Sequence, residues 1–101
     1  MIDLKDLQNK IFENKIKKGF NTTNVEREFC LIQTELGEAI RAYYKKLPDL
    51  GEEVADIFIY LLALAKMLDV DIEKELLNKV AKNERREYKT INGVMTRTKE
   101  G

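Results

Sequence analysis

The sequence predicts an all-α protein, a bundle-like domain of four helices, and three observations favour this class. Apolar residues recur at the three- and four-residue spacing of amphipathic helices. The 101 residues include only one proline and five glycines, so few positions interrupt a helix. The chain is long enough for one domain but not for two. We therefore expect a single helical domain over 1–101, with its core at about 3–89 and a polar tail at 90–101.

The first predicted helix covers about residues 3–18. Leu4, Leu7 and Ile11 lie on one of its faces, at the spacing of a core-facing stripe. Two lysines followed by Gly19 are typical of a helix C-terminus, where cations and a glycine cap are favoured.

The second predicted helix covers about residues 24–46, after a polar stretch at 21–24 that offers several N-cap residues. Its apolar residues fall within about 100° of arc, which predicts a stripe buried against the core. The stripe consists of Val25, Phe29, Ile32, Leu36, Ala39, Ile40 and Tyr43.

The third predicted helix covers about residues 50–68 and has an apolar middle, the nine residues from Ile57 to Ala65. That run is about half the length that a membrane span needs. A helix that is apolar on every side must be buried on every side, which a small monomer cannot achieve. We therefore expect a homodimer, or a dimer of dimers (a homotetramer), formed through this helix.

The fourth predicted helix covers about residues 71–89, with Asp71 as its expected N-cap and Tyr88 on its apolar side. The polar tail that follows is expected to be extended, or to form a short hairpin around Asn92-Gly93, a turn-forming dipeptide.

Composition excludes several classes of function. Eighteen basic and eighteen acidic residues give a formal net charge of zero, which argues against binding nucleic acid through a broad basic surface. The absence of histidine excludes His-ligated zinc and the Ser-His-Asp type of catalysis. The single Cys30 cannot form an internal disulfide, and no signal peptide or membrane span is visible. We expect a soluble cytoplasmic protein.

Two acid-x-x-acid pairs are the strongest chemical feature of the sequence. Glu35 and Glu38 share one face of the second predicted helix, and Glu53 and Asp56 share one face of the third. A short connection predicts antiparallel packing of these helices, which lets the pairs converge. Carboxylate ligands without Cys or His favour magnesium, manganese or calcium over zinc. Such pairs also occur on solvated helix faces, so the residues alone leave both interpretations open.

The segments Leu31–Ala39 and Gly51–Leu61 resemble the MazG-like family of all-α nucleoside triphosphate pyrophosphohydrolases. The family pattern is Glu-Glu-x-x-Glu followed, after a gap, by Glu-x-x-Asp. Here the gap between the two pairs is 14 residues, and Thr34 replaces the first glutamate. The resemblance covers about residues 8–90.

The resemblance implies hydrolysis of a nucleoside triphosphate between its α and β phosphates, which gives a monophosphate and pyrophosphate. It implies Mg²⁺, with Mn²⁺ as a possible substitute, and a helical dimer or dimer of dimers. The implied metal ligands are Glu35, Glu38, Glu53 and Asp56, and Glu35 or Glu38 is the candidate general base.

The fourth predicted helix carries a basic face that suits phosphate binding. Its members are Lys79, Lys82, Asn83 and Arg86, of which all but Lys82 resemble the family's Lys/Asn/Arg helix. A solvated face is the alternative. Upstream, Lys18-Gly19-Phe20 also resembles the family, and Phe20 could stack on a nucleobase or pack at the start of the second helix.

Two other functions compete with this interpretation. One is the related phosphoribosyl-ATP pyrophosphohydrolase activity, which would use the same metal chemistry on another substrate. The other is a catalytically silent helical dimer that acts as an adaptor or regulator, for which Thr34 is the best support.

Overall fold

A computed structural model describes all 101 residues and confirms the all-α class, with a small two-stranded sheet added at the C-terminal end. The chain forms two compact units, Met1–Asp71 and Ile72–Gly101. The elements in chain order are α1 (Leu4–Lys17), α2 (Val25–Tyr44), α3 (Leu50–Met67), α4 (Ile72–Arg85), β1 (Glu87–Ile91) and β2 (Val94–Lys99). None of the helices is both long and apolar enough to cross a membrane.

The helices of the first unit begin and end where the local sequence predicts. Asp3 caps α1 by accepting a hydrogen bond from the backbone N–H of Asp6 at 3.0 Å. Asn24 caps α2 in the same way, by accepting from the N–H of Arg27 at 3.0 Å. Gly19 terminates α1 with a φ of +72°, a conformation that glycine adopts without strain.

The first unit is built on α3, which packs against both α1 and α2. The C-terminal part of α3 is buried from Leu62 to Ala65, and Ala39 and Ala42 of α2 are buried too. Four of these six core residues are alanines, so the helix backbones can approach closely. The buried core is consequently small.

Gln8 links α1 to the C-terminal part of α3. Its side-chain amide is 3 % exposed and donates to the carbonyl oxygens of Leu62 and Val70, each at 3.2 Å. A buried amide is stabilising only when it is hydrogen-bonded, and here both of its N–H groups have an acceptor.

The predicted burial of the α2 stripe is confirmed for Ala39 but is wrong for four of its seven residues in the single chain. Phe29, Leu36, Ile40 and Tyr43 are between 49 and 65 % exposed. The reason is that α2 is rotated so that a different face, which includes the fully buried Glu28, turns inward. The apolar stripe is therefore available to another surface.

In the second unit, the predicted end of the fourth helix is wrong. The helix stops at Arg85 rather than near 89, and Tyr88 lies in β1, opposite Arg97 of β2, rather than on the helix. The tail forms the hairpin alternative: β1 and β2 pair antiparallel through Asn92-Gly93. Both turn residues have positive φ, 52° and 79°, as a type I′ turn requires.

Candidate active site

Three of the four predicted acids come together between α2 and α3. Glu35 of α2 and both Glu53 and Asp56 of α3 each place one carboxylate oxygen within 4.8 Å of the others. The two α3 acids share a face because they are three residues apart. Glu35 meets them because α2 and α3 are joined by a short connection and pack side by side.

The carboxylates of this cluster lie close together, and their negative charges repel one another. The pKa of Glu35 is raised, first by burial and then by the charges of Asp56 and Glu38. The pKa of Glu53 is also raised, first by burial and then by Asp49, Asp56, Glu35 and Glu38. A bound cation would remove the repulsion that raises both values.

Glu38 lies outside the group of three and is exposed. Its charge nevertheless contributes to the raised pKa of both Glu35 and Glu53, so it is close enough to act on the cluster. Thr34, which replaces the family's first glutamate, donates its hydroxyl to the backbone carbonyl of Cys30 at 3.2 Å. It adds no charge to the cluster.

Asp49 is an acid that the sequence patterns did not single out. It precedes α3 by one residue, its charge raises the pKa of Glu53, and its buried Oδ1 has no hydrogen-bond partner. Its position four residues before Glu53 is the helical spacing that could have indicated it. The donor set is thus all oxygen and strongly anionic, which fits a hard divalent cation such as Mg²⁺ or Mn²⁺.

A cavity of about 770 Å³ lies in the first unit, and Asp56 forms part of its wall. Two aromatic rings line it, those of Phe20 and Tyr60, together with the cationic side chains of Lys15 and Arg27. Its volume falls within the range of small-molecule sites. A ligand in this cavity would therefore lie beside the acid cluster.

A buried ion pair forms another part of the cavity region, and sequence patterns did not reveal it. Lys15 is 7 % exposed and donates to Oε1 of Glu28 at 2.5 Å. Glu28 is 0 % exposed and its other oxygen accepts from the Asn21 amide at 3.0 Å. In the sequence Lys15 is one of three lysines that end the first helix, so only its burial distinguishes it.

Tyr60 lies between the acid cluster and the ion pair. Its ring is 5.4 Å from the Lys15 ammonium. Its pKa is raised, first by burial and then by the negative charges of Glu35, Glu28 and Asp56. The phenol hydroxyl of Tyr60 therefore stays protonated, and the side chain is neutral in the wall of the cavity.

The predicted phosphate-binding residues lie in the second unit. Lys79, Lys82 and Asn83 are exposed on α4. Arg86 follows the end of the helix, donates to Oδ1 of Asn83 at 3.0 Å and donates to the carbonyl of Glu100 at 2.9 Å. Asn83 and Arg86 are thus held together, and the phosphate-binding role of the four residues stays a prediction. Phe20 is 58 % exposed and faces the cavity.

These features define a helical protein with a carboxylate cluster suited to a divalent cation and an adjoining ligand cavity. A family model, that of the MazG nucleotide pyrophosphohydrolase domain, matches residues 29–91, more than half of the chain. The chain belongs to this family, and the matched region contains all four acids and the basic residues of α4. Comparisons with curated proteins and with solved structures gave no match.

Proposed function

We propose that this protein hydrolyses nucleoside triphosphates between the α and β phosphates, in a Mg²⁺-dependent reaction that gives a nucleoside monophosphate and pyrophosphate. The observation that carries the proposal is the convergence of Glu35, Glu53 and Asp56 within 4.8 Å, beside a cavity large enough for a nucleoside. Family membership supports nucleotide pyrophosphohydrolysis in general.

In this proposal Glu35, Glu38, Glu53 and Asp56 hold the cation, and Mn²⁺ substitutes because it accepts the same oxygen ligands. The bound cation supplies positive charge against the phosphate chain and lowers the pKa of a nearby water. Glu35 or Glu38 acts as the general base.

The remainder of the nucleotide has two sets of candidate contacts. The candidate phosphate ligands of the second unit are Lys79, Lys82, Asn83 and Arg86, because ammonium, amide and guanidinium groups all donate to anionic oxygens. The base would enter the cavity, where Phe20 offers a largely exposed ring for stacking.

We also propose that the protein works as a homodimer, or as a homotetramer built from dimers. Four residues of the α2 stripe are between 49 and 65 % exposed, and on α3 Phe58 is 62 % exposed and Leu61 44 %. These helices pack against each other, and both expose large apolar side chains that a second copy could cover. The same face on two copies forms a self-complementary interface.

The direct test is a panel of nucleoside triphosphates assayed separately for pyrophosphate and orthophosphate. We expect pyrophosphate as the first product from at least one nucleotide. Activity should disappear with a chelator and return with Mg²⁺ or Mn²⁺. Orthophosphate as the first product would contradict the assigned bond cleavage, and turnover in the presence of chelator would contradict the metal requirement.

Glu53→Gln tests the metal site itself, because it keeps the size of the side chain but removes one charge from the cluster. We expect the variant to lose most of its turnover and most of the thermal stabilisation that Mg²⁺ gives. Glu52→Gln is the matched control, since Glu52 is the exposed neighbour outside the cluster. Equal responses of the two variants to Mg²⁺ would remove Glu53 from the site.

A further inference from the structure

The Lys15 ammonium has N–H donors that do not donate to Glu28. A lysine ammonium has three N–H donors, and in this structure one of them donates to Glu28. The Lys15 side chain is buried but lines the cavity. The ammonium also lies over the Tyr60 ring, 5.4 Å from its centroid, and the N–H groups that do not donate to Glu28 can reach an acceptor inside the cavity.

Glu28 and Asn21 do not share this capacity. Glu28 is completely buried and is not part of the cavity wall. The Asn21 amide donates both to Glu28 and to the backbone carbonyl of Asn24 at 2.8 Å, and its Oδ1 accepts from the N–H of Asn24 at 3.0 Å. Glu28 and Asn21 therefore hold Lys15 in place, and only Lys15 is free to meet a ligand.

The position of the pair along the helices indicates which part of a nucleotide it would meet. Glu28 precedes Glu35 by seven residues on α2, so it lies about 10 Å along the helix axis from the acid cluster. Tyr60, whose ring contacts Lys15, lies one turn beyond Asp56 on α3. Four residues separate Tyr60 from Asp56, about 6 Å along the axis, and the Lys15 ammonium lies a further 5.4 Å from the Tyr60 ring. With the phosphates at the acid cluster, a distance of this order passes the sugar and reaches the base.

We propose that Lys15 determines base specificity by donating a hydrogen bond to the exocyclic carbonyl oxygen of a keto nucleobase, with Glu28 as its positioning residue. An exocyclic amino group at the same place offers a donor instead of an acceptor, so the ammonium keeps its bond to Glu28 but gains none from the base. Pairing with Glu28 also neutralises Lys15, so its ammonium attracts the phosphate chain less than an unpaired lysine would. This inference rests on the proposed function.

The test uses substrate pairs that differ at this exocyclic group: inosine against adenosine triphosphate, and uridine against cytidine triphosphate. We expect kcat/KM to favour the keto member of each pair by roughly tenfold or more, the range for a hydrogen bond to a charged group. In the double variant Lys15→Met/Glu28→Gln, which removes both charges together, the ratio should fall toward one. Lys10→Met, at an exposed lysine of the same cavity, is the matched control and should keep the ratio.

A binding measurement separates this inference from the proposed function. Inosine and adenosine monophosphates, titrated into wild-type protein with chelator present, report on the cavity without catalysis. Keto preference in both kinetics and binding supports the role of Lys15. Turnover without keto preference, or a preference that survives in the double variant, overturns it and leaves the proposed function standing. Absence of pyrophosphate release from every nucleotide overturns the proposed function, and the monophosphate titration then decides on Lys15 alone.

Discussion

Removing one partner of the buried ion pair between Lys15 and Glu28 should cause a large loss of stability. Lys15→Met keeps the length and apolar stem of the side chain but leaves the Glu28 carboxylate, which is 0 % exposed, with only the Asn21 amide as partner. Breaking a buried pair from one side costs about 3–5 kcal/mol, because the remaining charge is buried without compensation. A small domain has only about 5–15 kcal/mol of total stability.

The expected loss is therefore visible in a thermal melt. A loss of 3–5 kcal/mol corresponds to a fall in Tm of roughly 15 °C or more for a domain of this size. Glu28→Gln should also destabilise, because it leaves the Lys15 ammonium without its counter-charge. The double variant Lys15→Met/Glu28→Gln should melt well above the worse of the two single variants, since it leaves no unpaired charge.

Lys10→Met measures how much an exposed ion pair contributes to the free energy of unfolding. Lys10 contacts Asp6 at 3.3 Å, and the two side chains are 72 and 59 % exposed. An exposed pair four residues apart on a helix contributes at most about 0.5 kcal/mol. Single variants at Lys15 and Glu28 that melt within the range of this control, or a double variant whose loss is the sum of the single losses, would refute the coupling between the two residues.

Three further predictions concern other contacts. Gln8→Leu removes two hydrogen bonds to the end of α3 and should cost about 1–3 kcal/mol in chemical denaturation; an unchanged midpoint would contradict the linking role. Burial and nearby negative charges raise the pKa of Tyr60. The stability linked to its protonation is therefore intact below about pH 10 and declines as pH rises through the folded pKa. Tyr60→Phe should lessen that decline, and an equal decline in the variant would contradict this. Phe58→Glu should convert the expected dimer to a monomer in sedimentation, while Ile16→Glu, at an equally exposed apolar residue of α1, should not; a wild-type monomer would contradict the dimer proposal.

Local signals in the sequence were sufficient for most helix ends and for the convergence of three of the four predicted acids, but they did not indicate Asp49. Helix ends depend on residues close in sequence, such as Asp3, Asn24 and Gly19, and the convergence of the acids depends on i, i+3 spacing and a short connection. The partial exception is the fourth helix, where a helical pattern continued past Arg85 although pairing with β2 takes the chain into a strand.

Features that depend on packing could not be predicted in this way. The Lys15–Glu28 pair joins two helices, and neither residue stands out from its charged neighbours until the helices are placed together. The orientation of α2 was misjudged for the same reason. Its apolar stripe is the obvious candidate for burial, but the single chain turns inward a face that carries acids and alanines. Periodicity identifies which residues share a face and does not say which partner covers it.

The exposed stripe of α2 has a consequence for how the protein responds to dilution. With a second copy covering Phe29, Leu36 and Tyr43, part of the free energy of folding comes from association. The midpoint of unfolding then rises with protein concentration, and chains at low abundance are the least stable. In the proposed dimer the second copy would also hold α2, the helix that carries Glu35, against α3. Turnover per chain would then fall on dilution, so the amount of this protein in a cell would set the activity of each molecule as well as the total.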